Sequence, residues 1–326
     1  MHHFSSLLLL VVIQVHAGSR VLALTVIYFP CLLRSRLSAT RADEARRAVL
    51  EFFRAPPGYT VIFTANASGA LKLVGESFPF TSGSTYILGA DSHNSVHGIR
   101  QFAQARGGQV CYLESTDVGG VDVAEAKVTY TNPRVPSLRA PADRYPVISL
   151  WGALVSQAVL AHHRPRGGRA PPSLFALTGQ SNISNTKNPL SLIEFAASQG
   201  YSTLLDAAAL APTSVISLAD TPVDAMAISF YKMFGFPTGV GALVAKESFL
   251  AQLERPWFAG GTVDVVQAPG KIVTLAAEMH ERFEVRVSVC ATYLLHFGSW
   301  PHFESPWNCR DHVSLTLNSR FPGRHN

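Results

Sequence analysis

An α/β fold with a mainly parallel sheet and helices on both faces is predicted by three observations. Short apolar runs alternate with helix-length segments along residues 40–113, and the alternation resumes along residues 173–245. The apolar runs are strand-sized, and the run at 225–230 leads into a loop of Gly, Pro and Thr. The chain has 326 residues and 47% hydrophobic content, enough for a large core in one or two domains.

Residues 40–53, "TRADEARRAVLEFF", read as an amphipathic helix. Thr40 is the cap, Asp43 sits in the first turn, and Ala45, Val49, Phe52 and Phe53 fall toward one face. Residues 60–64 are a strand, 68–78 a helix, 85–90 a strand, 95–105 a helix and 109–113 a strand. Residues 131–144 read as loop, and the apolar stretch 145–163 fits either state. The pattern returns with "SLFALT", a strand over residues 173–178. In "NPLSLIEFAASQG", Asn188 takes the cap, Pro189 the first turn and Gly200 the stop. "STLLD" is a strand ending at Asp206. Residues 225–230 form a further strand, 235–241 a tight loop with three glycines and a proline, and 241–245 another strand. The tail after Glu284 has scattered aromatics, arginines and prolines without a period.

The net charge is +5, with much of the arginine excess in "RPRGGRAPP" and the tail. Basic helices and aromatic–basic interleaving are missing, which argues against nucleic-acid binding. The four cysteines, Cys31, Cys111, Cys290 and Cys309, have neither metal-site nor disulfide-framework spacing. A reduced, cytoplasmic protein is the expectation. The N-terminal stretch "SLLLLVVIQVHAG" points the other way. It resembles a secretory signal with a small-residue site near Ala17, yet its n-region has no Lys or Arg. It is too short to span a bilayer. Secretion is the alternative if this leader works.

Lys232, in "AISFYKMFGFPTGVGALVAK", follows an apolar run and precedes a glycine-rich loop. By itself it reads as a solvated loop lysine or as a nucleophile desolvated in an apolar pocket. Asp206 ends a strand, on the edge where open α/β sheets bind ligands. It reads as a structural cap on the next loop or as the partner of a cationic ring nitrogen. The polar–small turn "NASG", residues 66–69, opens a helix directly after a strand. Backbone N–H groups and the helix dipole bind phosphate at such a start, and the Ser68 hydroxyl adds a donor. His93 follows another strand, as a surface or core histidine or as a support for a flat ring. Gln180 and Asn182 stand at a further strand end. A phosphate turn, an aromatic stacker, a buried acid and a reactive lysine are together what pyridoxal phosphate requires.

The segments "FTANASGALKLV", "LLDAAALAPT", "ISFYKMFGFPTGVGALVAK" and "RPWFAGGT" occur in an order that resembles the aminotransferase class V domain of molybdenum cofactor sulfurases and, more distantly, cysteine desulfurases. The resemblance implies the large domain of the PLP-dependent transferases, of aspartate aminotransferase type, over residues 40–284. Residues 1–39 are then an atypical leader and 285–326 an atypical tail. It implies pyridoxal 5'-phosphate as cofactor, L-cysteine as substrate and a homodimer as assembly. Lys232 matches the Schiff-base lysine, and Asp206 the pyridinium partner. Ser68 with Ala67 matches the phosphate-binding turn, and His93 the ring-stacking histidine. Asn182 matches the asparagine near the cofactor ring. Ser229 and Tyr231 occupy phosphate-side positions beside the lysine. Thr262 matches a residue that in related dimers reaches the neighbouring subunit's phosphate.

The pattern departs from the family at both ends. "VIYFPCLLRSRLS" replaces the usual first strand, and "VRVSVCATYLLHFG" follows "HERFE" where a small domain is expected. That domain supplies the substrate-carboxylate arginine and the persulfide cysteine in the family, and neither is matched here. The expectation is a chain that binds the cofactor and turns over poorly by itself.

Overall fold

The computed structural model describes residues 16–17, 20–21, 34–116, 119–121, 128–129, 159–160, 163–165, 170–235 and 239–284. The expected loop at 131–144, the tail after 284, and nearly all of the leader and of the 145–163 stretch lie outside them. So do Cys31, Cys290 and Cys309.

A two-residue pairing of β1 (His16–Ala17) with β2 (Arg20–Val21) precedes helix α1 (Arg34–Phe52). The main body then runs β3 (Tyr59–Thr64), α2 (Ala67–Ser77), β4 (Thr85–Gly89), α3 (Asn94–Ala105), β5 (Gln109–Leu113) and β6 (Val128–Thr129). It continues with β7 (Leu174–Thr178), α4 (Ser191–Ser198), β8 (Ser202–Asp206), β9 (Ala225–Ser229), the one-turn helix α5 (Phe230–Phe234), β10 (Gly241–Lys246) and α6 (Glu247–Leu250). A separate hairpin, β11 (Val263–Val266) with β12 (Val273–Leu275), follows.

Eight strands form one sheet in the order β3-β10-β9-β8-β7-β4-β5-β6. The central block β9-β8-β7-β4-β5 is parallel. β10 runs antiparallel to both its neighbours, so β3 points the same way as the central block, and β6 opposes β5. The order reverses between β4 and β7: the chain leaves β4 outward to β5, then returns to build β7, β8 and β9 on the other side. Such a switch point opens a crevice at the carboxyl ends of the strands.

Strand alternation assigns the two faces. Phe63, Ile87, Phe175, Leu177, Met226, Ile228 and Val244 point to one face, beneath Ala45 and Val49 of α1 and Leu192 and Ile193 of α4. Ile62, Leu88, Ala176, Ala225, Ala227 and Leu243 point to the other, against Ala70, Leu71 and Val74 of α2 and Val96 and Ile99 of α3. The alanines on this second face let α2 lie close to the centre of the sheet. Both faces are therefore buried, as a parallel sheet requires.

Four local expectations are corrected. Thr40 does not cap α1, because the helix already starts at Arg34. Phe52 is exposed, while Phe53, just past the helix, is buried. Asn188 does not cap α4, which begins at Ser191 with Leu190 at its N-cap. Instead Asn188 is buried and links two loops: its Oδ1 accepts from Val121 N at 2.7 Å and its Nδ2 donates to Thr178 O at 2.6 Å. The strand expected over 225–230 stops at Ser229, and Phe230 opens α5. Gly200 does end α4's turn, at φ +88°. Among the described residues no helix is long and apolar enough to cross a membrane.

Candidate active site

Five strands that point the same way bring their ends to one cleft. β3 leads to Asn66, Ala67 and Ser68, β4 to His93, β7 to Gln180 and Asn182, β8 ends in Asp206, and β9 leads to Ser229, Tyr231 and Lys232. The cleft has about 530 Å³ of empty space, part of it open to solvent. Apart from Thr262, every residue the sequence singled out for the site lines it.

The wall at α2 is built from local hydrogen bonds. Asn66 caps the helix, its Oδ1 accepting from Gly69 N at 2.9 Å. Ala67 N donates to Ser229 Oγ at 2.9 Å, which fixes the start of α2 on the end of β9. Gly241 makes this approach possible. A Cβ there would lie 2.5 Å from the backbone of Asn66. The helix N-terminus and the nearby hydroxyls form a donor-rich wall suited to an anion.

Opposite them, His93 caps α3, its Nδ1 accepting from Ser95 N at 3.1 Å. Asp206 is almost fully buried. Burial pushes its carboxyl pKa up, while the Ala208 N–H, His93 and Lys232 pull it back. The N–H of Ala208 donates to Asp206 Oδ1 at 3.1 Å. A buried carboxylate with this setting suits a cationic partner that enters the cleft.

Lys232 sits in α5, which is held by Phe230. Its ring is buried and stacks on Phe234 at 6.4 Å, and the Phe230 backbone N–H donates to Val240 O at 3.1 Å. Gly235 stops the turn at φ +82°, a conformation few other residues adopt. Among the described residues, the apolar enclosure that one reading gave Lys232 is not present. The residue is exposed on a largely polar cleft, because a single helical turn at the open edge of the sheet cannot bury it.

Thr262 is elsewhere. It is buried in the turn before β11, where its Oγ1 accepts from Ala259 N at 3.0 Å and donates to Ala259 O at 2.8 Å. Three residues of the cleft, Leu71, Ala208 and Ala209, were not singled out from sequence. For Ala208 and Ala209 the run of three alanines after Asp206 in "LLDAAALAPT" was the available signal, since only small side chains leave room for a flat ring beside a buried acid.

The donor set fits a phosphorylated pyridine aldehyde: an amine, a buried acid, an imidazole and an anion-binding helix start converge on one space. Among the described residues no cluster of His, Cys, Asp and Glu could hold a metal. The described cysteine, Cys111, lies in β5 outside the cleft, and burial pushes its thiol pKa up to about 11.

Known proteins resemble this chain in sequence and fold. The chain is 31% identical over 274 residues to a molybdenum cofactor sulfurase of Arabidopsis thaliana, covering 77% of this chain and 31% of that protein. It is 36% identical over 243 residues to the rice (Oryza sativa subsp. japonica) protein of the same name, covering 70% and 28%. The chain thus spans roughly a third of the length of these relatives. The apo structure of a cysteine desulfurase from Thermococcus onnurineus NA1 superposes with a TM-score of 0.59 at 21% identity, over 81% of this chain and 58% of that one, and so shares the fold. The aminotransferase class-V pattern matches residues 34–136 and 169–293, and the chain belongs to the aminotransferase class-V family.

Proposed function

We propose that the chain binds pyridoxal 5'-phosphate and is the cofactor-binding part of a molybdenum cofactor sulfurase-like enzyme that takes sulfur from L-cysteine. The observation that carries this reading is the convergence of Lys232, Asp206, His93 and the start of α2 on the switch-point cleft. When bound, pyridoxal phosphate supplies an aldehyde that captures an amino group and a ring that draws electrons from the attached carbon. The chain's own groups divide the remaining work. Lys232 Nζ would be the amine that holds the cofactor, and it would move a proton at the substrate α-carbon. Asp206 holds the ring nitrogen in its protonated form. His93 supports the ring, with Asn182 beside it. Ser68, Ser229, Tyr231 and the first N–H groups of α2 hold the phosphate.

A second copy of the chain belongs to this reading. Thr262 lies just before the β11–β12 hairpin, and Trp257, Ile272 and Leu275 around it are 60%, 64% and 49% exposed. Apolar side chains placed this way favour burial against another protein surface.

A second reading, cofactor binding without sulfur transfer, is favoured by one observation. Among the described residues no thiol lines the cleft, and Cys111 is buried outside it. Incubation of the purified chain with pyridoxal phosphate, L-cysteine and a thiol reductant that releases persulfide sulfur as sulfide separates the two. Alanine formed in step with sulfide supports the transferase. A cofactor spectrum that responds to cysteine without alanine supports the binding reading. A spectrum that responds to neither addition rejects both.

A further inference from the structure

We propose that Ser95 is a positioning residue that couples the phosphate wall of the cleft to its ring support; the inference rests on the cofactor reading above. Ser95 is the second residue of α3 and does not line the cleft. It holds two residues that do. Its N–H donates to His93 Nδ1 at 3.1 Å, and its Oγ lies 2.6 Å from Ser68 Oγ. Ser68 is the second residue of α2, so the pair joins the first turns of two helices. Those helices pack tightly: a Cβ at Gly75 of α2 would lie 3.0 Å from Ile99 Cγ1 of α3.

Each contact has a chemical consequence. The N–H gives His93 Nδ1 its partner and fixes the plane in which the ring stands. The hydroxyl contact decides where the Ser68 proton points. Each hydroxyl has one proton to donate. When Ser95 donates to Ser68 Oγ, the Ser68 proton is left for an acceptor in the cleft. A phosphate, which only accepts, selects that direction, and the two bonds strengthen one another. Ser68 is itself exposed, and without Ser95 its hydroxyl turns among water positions. Ser95 therefore converts a freely rotating hydroxyl into an aimed donor without touching the ligand.

The test is a titration of pyridoxal phosphate and, in parallel, of pyridoxal, which lacks the phosphate. The chains are wild type, Ser95→Ala and Ser95→Thr, followed by the absorbance of bound cofactor. Ser95→Ala should lose about three- to tenfold in affinity for pyridoxal phosphate, the worth of one hydrogen bond. It should lose nothing for pyridoxal, and Ser95→Thr, which keeps the hydroxyl, should recover most of the loss. Unchanged affinity for pyridoxal phosphate in Ser95→Ala overturns the proposal. So does an equal loss for both ligands, because that is damage to the fold and not to phosphate recognition. A Ser95→Thr chain as weak as Ser95→Ala overturns it too. A wild-type chain that binds neither ligand is a different failure: it removes the cofactor reading, and the role of Ser95 with it.

Discussion

Ala67 N donates to Ser229 Oγ at 2.9 Å, across 162 residues of sequence. The bond fastens the start of α2 to the end of β9, three residues before Lys232. It therefore sets the distance between the anion-binding wall and the amine. Both residues are buried, so the bond is shielded from water.

Ser229→Ala leaves the Ala67 N–H buried without its partner. That should cost about 1–3 kcal/mol of stability. Affinity for pyridoxal phosphate should fall together with stability, because the helix start shifts. Chemical denaturation and a cofactor titration on the same variant check both. Loss of stability with unchanged affinity would mean that the wall does not depend on this bond.

Asp206 links stability to pH. Burial raises its pKa above the ordinary carboxylate value. A group with a raised folded pKa gives stability that is fully present below the unfolded value and is lost as pH rises through the folded one. At neutral pH the cofactor-free chain therefore carries a cost for this carboxylate. Asp206→Asn should raise the melting temperature of the cofactor-free chain at pH 7 by roughly 2–5 °C. The gain should shrink toward pH 3. The same variant should hold the cofactor less well. A lower melting temperature at pH 7 would show that the Ala208 contact outweighs the burial cost.

Gly241→Ala puts a methyl group 2.5 Å from the Asn66 backbone. Backbone cannot swing away as a side-chain tip can, so α2 must move. The variant should be destabilised by about 1–3 kcal/mol or more. Its cofactor affinity should fall at least as much as in Ser229→Ala. Thermal melts and titration measure this, and a variant indistinguishable from wild type would contradict the close approach.

The strands β3, β4, β5, β7, β8, β9 and β10 were legible because their apolar runs are local; the two-residue strands and the exposed β11–β12 hairpin carry no such run. The directional logic that put Asp206, His93 and Lys232 on one edge was legible too. What stayed hidden depends on distant partners. Asn188 looks like a helix cap, yet its side chain is taken up by Val121 N and Thr178 O, and Val121 is 67 residues away. Thr40 looks like a cap, yet the helix passes through it, since the Arg- and Ala-rich sequence before and after it supports helix. The exposure of Lys232 follows from where the sheet edge opens, and a window of sequence around the lysine does not contain that. Ser95 gives no local signal, because its role exists only when Ser68 and His93 are brought beside it.

Arg46 and Glu284 close the described chain. Arg46 Nη2 meets Glu284 Oε1 at 2.7 Å, and Glu284 Oε2 accepts from Phe63 N at 2.9 Å on the edge strand β3. Both side chains are about nine-tenths buried. Glu284→Ala leaves a buried guanidinium with less compensation and an unpaired strand N–H. It should cost about 3–5 kcal/mol in denaturation experiments. A cost below 1 kcal/mol would show that Asp43, which also pairs with Arg46 at 2.8 Å, suffices.

The central claim is that Lys232 carries the cofactor. The chain should be loaded with pyridoxal phosphate, treated with borohydride, digested and mapped by mass spectrometry. The account predicts a reduced pyridoxyl label on Lys232, lost in Lys232→Ala. A label found instead on Lys72 or Lys246, or one that persists in Lys232→Ala, would contradict it.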